Sequence, residues 1–276
     1  MRTLMHRAWL VLGLGLLAIA TPAIHAAPVT QCSSNAVCFC YNDDFKLAID
    51  AQVDKLRAMI AAERAKGRSI GYLSIPLSTA GGGYFNLNRE VAERIKQRVE
   101  SRFGASAVWL LNPAMKEADI PPFGNARAGG AEFMVMWMRV LEGASGLGED
   151  FDFVYFSGPG DFGAALGLTG TGDLERLGTL YSERLASDPD FKRAVDQGRI
   201  TPQGFRNYYG LRASVNFSLG AHDEWNIVGK INNRRRSDPK WGVVNQLPSL
   251  YDGRSVSSAE ADSLVTGGYS GQCKLP

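Results

Sequence analysis

The chain has 276 residues, 45% of them hydrophobic, with 30 Lys and Arg against 28 Asp and Glu. It is long enough to bury a sizeable core in one domain with a decorating subdomain. Loss of an N-terminal export segment holding Arg2 and Arg7 and no acid leaves 28 residues of each sign. That balance excludes a bulk electrostatic affinity for nucleic acid or an anionic membrane, and leaves room only for a local basic patch.

Residues 1–27 read as the export signal. Arg2 and Arg7 form a basic start, 8–20 is an apolar run too short for a comfortable membrane span, and small residues over 23–27 supply a cleavage region. A retained N-terminal anchor is the rival reading. No Cys borders the apolar run, which argues against a lipid anchor. The mature protein is thus expected to be periplasmic or secreted, with no membrane span. All four cysteines, Cys32, Cys38, Cys40 and Cys273, lie beyond the signal and read as two disulfides. Three pairings are open. Cys38 and Cys40 are too close to favour each other, so one N-terminal Cys is expected to reach Cys273 and clip the termini together. A metal site is the rival, without a nearby His to complete it.

Apolar spacing predicts a helix over 44–66, stopped by Gly67. A short apolar run over 69–77 predicts a buried strand, and 79–83 a glycine-rich loop. Val91, Ile95 and Val99 predict a helix over 88–103. Residues 107–111 read as a second strand ended by Asn112-Pro113, and 120–130 as a Pro/Gly loop. The strongly apolar 131–141 reads as a buried helix whose Met and Trp content is core filling, and 151–157 as a third strand. Helix and strand alternate throughout, which predicts an α/β fold with a small, mainly parallel sheet and helices on both faces. Residues 158–210, with helical pieces over 174–185 and 191–195, read as an insertion. A fourth strand over 211–217 and a helix over 220–233 are expected, followed from 237 by an irregular surface-wrapping tail.

Several standard sites are absent from the sequence. It has no phosphate-loop motif, no G-x-G-x-x-G turn after a strand and no G-x-S-x-G elbow. Outside the signal His222 is the single histidine, so no multi-histidine metal centre is possible and no metal or cofactor is expected. Carboxylate chemistry remains, the usual kit for breaking a glycosidic bond. Loops at the carboxyl ends of parallel strands gather ligands. Here those are 74–88, 112–114, 157–161 and 217–224, offering Gly82, Asn86, Asn88, Asp161, His222, Asp223 and Glu224 among others. The junction Ser218-Leu219-Gly220-Ala221-His222-Asp223-Glu224 stands out, because small residues free the amide groups of a helix N-terminus to face a ligand with Glu224 one turn in. The plainer readings are helix-dipole partners for Asp223 and Glu224, a cap for His222, and caps for Asn86 and Asn88.

Four stretches resemble the nucleoside 2-deoxyribosyltransferase-like proteins, in that family's order. Gly71-Tyr72-Leu73-Ser74-Ile75-Pro76-Leu77 is similar to the first-strand signature, and Tyr84-Phe85-Asn86-Leu87-Asn88-Arg89-Glu90 to the start of the first helix. Val108-Trp109-Leu110-Leu111-Asn112-Pro113 resembles the second strand, and Ser218-x-Gly220 followed by Glu224 the catalytic turn. The resemblance covers about 70–232 and implies a Rossmann-like three-layer sandwich. It also implies cleavage or transfer at the N-glycosidic bond of a nucleoside, nucleotide or NAD-like molecule. Glu224 would be the nucleophile, Ser218 and Gly220 would face the sugar or its phosphate, and Tyr72 and Ser74 would line the site. Asp152, Asp161 or Asp223 would protonate the departing base or orient Glu224. The rival classes are a non-catalytic periplasmic binding protein with the same fold and a secreted NAD-cleaving effector.

Overall fold

The computed structural model describes residues 27–212, 218–242 and 245–274. The expected export signal lies outside them. In chain order the elements are β1 (Pro28–Cys32), β2 (Cys38–Asn42), α1 (Lys46–Ala65), β3 (Ser69–Ser74), α2 (Phe85–Phe103), β4 (Val108–Leu111), α3 (Gly130–Glu142), β5 (Phe153–Phe156), α4 (Pro159–Leu166), α5 (Asp173–Ser187), α6 (Pro189–Asp196), α7 (Pro202–Asn207), α8 (Leu219–Ser237), β6 (Ser249–Tyr251), β7 (Arg254–Ser255) and α9 (Ser258–Ala261).

The sheet runs β4-β3-β5-β6-β7. Its first four strands are parallel and β7 is antiparallel. From β3 the chain crosses through α2 to β4 on one side, then returns through α3 to β5 on the other, the winding of a Rossmann-like α/β sandwich. Side chains alternate across each strand, so β3 feeds two cores. Ile70 and Tyr72 pack with Val53 and Leu56 of α1, Trp137 of α3 and Ile227 of α8. Leu73 packs with Val91 and Ile95 of α2 and Phe162 of α4.

Local sequence accounts for these elements. Ile49, Val53, Leu56 and Ile60 form one buried stripe of α1, and Leu87, Val91, Ile95 and Val99 one of α2. β3 is buried from Ile70 to Ser74, as a strand covered on both faces must be. Helices α5, α6 and α7 and the turn after them pack on the α2 side through an aromatic cluster of Tyr181, Phe191, Phe205 and Tyr209.

Two expectations are corrected here. Leu211 and Arg212 end a π-helical turn that starts at Tyr208, and the rest of the strand expected over 211–217 lies outside the described residues. Among the described residues the fourth parallel strand is β6, which comes from the segment read as a wrapping tail. Three residues are too few to leave a period in the sequence, and β6 is fixed by pairing with β5: Val154 with Ser249 and Phe156 with Tyr251.

The hairpin of β1 and β2 stands apart from the main sheet, closed by Cys32–Cys38. Cys40–Cys273 then joins the hairpin to the end of the chain, across 233 positions of sequence. Among the described residues no helix is long and apolar enough to cross a membrane.

Candidate active site

Tyr72 and Ser74 are two apart on β3 and so share a face of the sheet. On that face lies α8. It is capped by Ser218, whose hydroxyl accepts the Ala221 amide at 3.3 Å. Glu224 sits in the second turn, on the stripe that also buries Ala221, Ile227 and Val228. The two elements meet through this carboxyl group. Tyr72 Oη donates to one Glu224 oxygen and Ser74 Oγ to the other, each at 2.5 Å. The Tyr72 ring is braced by Trp137 and Phe151, with ring centroids 5.6 and 5.9 Å away.

Burial disfavours the ionised form of Glu224 and pushes its pKa up to about 7. The hydrogen bonds from Ser74 and Tyr72 oppose that shift, and the charge of Asp223 adds to it. Burial and the adjacent carboxylate hold the Tyr72 phenol well above its ordinary value, so it remains a donor. A carboxyl group poised near neutrality, with its proton donors fixed, is equipped for nucleophilic or acid–base work.

Glu224 opens into a cleft of about 500 Å³. Its walls come from the loop after β3 (Ile75, Leu77, Ser78, Thr79), the loop after β4 (Pro113, Ala114, Asp119), the start of α3 (Phe133, Met134, Trp137) and the start of α8 (Ser218, Gly220). Phe85 and Tyr269 flank it. The cleft therefore lies outside the carboxyl ends of parallel strands. Two acids and no Lys or Arg line it among the described residues. Among those residues no group of three or more His, Cys, Asp or Glu is arranged to hold a metal ion.

Tyr72, Ser74, Ser218, Gly220 and Glu224 are brought together at this cleft; the other expected site residues are not. Asp152 lies at the opposite end of the strands, where it accepts the Ile70 amide at 2.7 Å and pairs with Arg64. Four residues of strand separate that point from Ser74, roughly 13 Å. Asp161 is on the other face of the sheet. It caps α4 at the Gly158 amide, accepts from Tyr155 Oη and pairs with Arg98. Asp223, next to Glu224 in sequence, points the other way because neighbouring helical residues are about 100° apart. It accepts the amides of Tyr269 and Ser270 at 2.6 and 3.2 Å. His222 is buried, and its ring lies beside Gly267.

The residues expected from the first helix are scaffolding for the cleft loop. Asn88 is buried, donates to Ser78 O and Tyr208 Oη, and accepts from Tyr209 Oη. Asn86 is exposed and donates to Tyr84 Oη, while Gly82 packs on the backbone of Gly204.

Asp119, Trp137 and Tyr269 are cleft residues that the sequence reading passed over. Asp119 follows an unremarkable polar loop, Trp137 sits in a helix apolar all round, and Tyr269 lies in a tail with no periodicity. The fold and the cleft define a Rossmann-like α/β protein with a buried carboxyl group at a ligand-sized cavity. Comparison with family models, with curated proteins and with solved structures gives no match to this chain.

Proposed function

We propose that this protein cleaves, or transfers across, the N-glycosidic bond of a nucleoside, as its resemblance to the deoxyribosyltransferase-like proteins implies. The observation that carries the reading is the buried Glu224 carboxyl group, held by Tyr72 and Ser74 and open to the cleft. A Glu224 oxygen attacks the anomeric carbon of the sugar. The bond to the base nitrogen breaks with its electron pair moving onto the base, which takes a proton from solvent by way of Asp119. Water or an acceptor base then displaces Glu224 from the glycosyl ester. Tyr72 and Ser74 stabilise the carboxylate as it leaves in this second step.

The lining favours an uncharged nucleoside over a nucleotide or NAD-like substrate. Phosphate recognition commonly uses Arg or Lys, and here two carboxylates would repel it. The test is base release from a panel of nucleosides and their monophosphates, wild type against Glu224→Gln. Turnover of nucleosides that the substitution abolishes supports the reading; release at an unchanged rate removes Glu224 from the mechanism. A second reading, a binding protein without turnover, draws on the fact that both Glu224 oxygens are already satisfied. It predicts thermal stabilisation by nucleosides with no base released.

A further inference from the structure

Tyr269 is held in place at unusual length for a tail residue. Upstream, Trp225 Nε1 donates to Ser263 O at 3.0 Å, and the Asn226 side chain bonds both the carbonyl and the amide of Val265, at 2.8 and 2.9 Å. At the residue itself and its successor, Asp223 accepts both amides. Gly268 has no side chain where the Asp223 carboxylate lies, so only glycine lets the strap come this close. Downstream, Ser270 bridges to Phe39, the Gly271 amide donates to Cys38 O at 2.8 Å, and Cys273 is bonded to Cys40.

The side chain that all this presents is left largely unused by the protein. Tyr269 is 38% exposed, and its ring lies over Gly130 at the start of α3, where a Cβ would run into it. Neither a ring partner nor a hydrogen bond of its hydroxyl is found among the described residues. Phe85, 40% exposed, lines the same cleft from α2. A rigidly held, partly exposed aromatic ring with no hydroxyl partner among the described residues, beside a second exposed ring in the same cleft, suits a planar aromatic ligand group.

We infer that Tyr269 is a ligand-contacting, specificity-determining residue that stacks on the base, and that Asp223 and the Cys40–Cys273 disulfide are its positioning groups. The inference rests on the nucleoside reading of the cleft and assigns the base to its Tyr269 side.

Free adenine, a base without sugar, is the probe, measured by calorimetric titration in parallel with base release from 2′-deoxyadenosine. Removing one stacking ring corresponds to about tenfold weaker binding. Tyr269→Ala is therefore expected to weaken adenine binding about tenfold and to raise KM similarly, with kcat held within about twofold, while Tyr269→Phe keeps most of the affinity. Cys40→Ser/Cys273→Ser is expected to weaken binding to a comparable degree, and adding Tyr269→Ala to it to bring no further loss. Adenine binding that is equal in wild type and Tyr269→Ala, or undetectable in wild type, overturns the inference, as does a multiplicative loss in the combined variant. Adenine bound by wild type and weakened by Tyr269→Ala, with no base released from any nucleoside, leaves the inference standing and removes the glycosidic reading instead.

Discussion

Tyr72 and Glu224 lie on different elements, 152 positions apart, yet the phenol of one donates to the carboxylate of the other at 2.5 Å. The bond ties the central strand β3 to α8 at the point where the cleft begins. Burial, more than the bond itself, sets the protonation of the pair: the phenol stays protonated, and the carboxyl group titrates near neutrality although the hydrogen bond from Tyr72 favours its ionised form.

Glu224→Gln keeps the shape and loses the charge. It is expected to lower kcat at least about 10³-fold, because the amide cannot form the glycosyl ester. The variant should remain folded, since one of the two hydroxyls can still donate to the amide oxygen and the other can turn to accept from the amide nitrogen. Steady-state base release beside a thermal melt checks both halves of the statement.

The pH dependence follows from the same group. Folding raises the Glu224 pKa from 4.5 to about 7, so the native state binds the proton more tightly than the unfolded chain. The stability this contributes is complete below pH 4.5, declines as pH rises and is gone above about 7, a change of about 3 kcal/mol. Urea melts at pH 5 and pH 8 should differ by about that much more in wild type than in Glu224→Gln. Activity runs the other way: kcat/KM should rise with an apparent pKa near 7. Tyr72→Phe should move that rise to higher pH, since the lost hydrogen bond favoured the ionised form.

The acids divide by place. Asp161→Asn should cost about 2 kcal/mol of stability, because it weakens the α4 cap and leaves Arg98 without its ionic partner. Its kcat should be unchanged. Asp119→Asn should do the reverse, leaving the melting midpoint in place and lowering kcat about 10²-fold. Equal kcat in Asp119→Asn and wild type would take proton relay away from Asp119.

The two disulfides close loops of very different size, 6 against 233 positions of separation. On loop-closure entropy their removal should cost about 2 kcal/mol for Cys32–Cys38 and about 5 kcal/mol for Cys40–Cys273. Denaturant midpoints of the two paired-serine variants would rank them; a larger loss from the short loop would contradict this order.

Much of the architecture was legible because it repeats. The stripe of Val91, Ile95 and Val99 and the buried run from Ile70 to Ser74 leave periods of four residues and of none, which separate helix from buried strand. The expectation that one N-terminal Cys reaches Cys273 also agrees with the structure, through Cys40. Of the four strand-end loops expected to gather ligands, those after β3 and β4 and the start of α8 do line the cleft, and 157–161 does not. That last loop opens toward the other face, where Asp161 meets Tyr155 and Arg98, and face is a property of register that loop composition does not carry. Asp223 illustrates a second limit. Its neighbour in sequence enters the cleft, but one step along a helix turns a side chain through about 100°, toward the strap. Tyr269 was hidden because its position is set by contacts with Asp223, Cys38 and Cys40, none of them local.

The placement of β6 also governs how the chain can be assembled. Until residues 249–251 arrive, β5 has a bare flank: the side that receives Ser249, Leu250 and Tyr251 exposes its peptide groups as an open edge. Such an edge invites pairing with a neighbouring nascent chain. Because its cover is encoded by residues 249–251, a chain cut short before them would be expected to precipitate rather than merely lose activity.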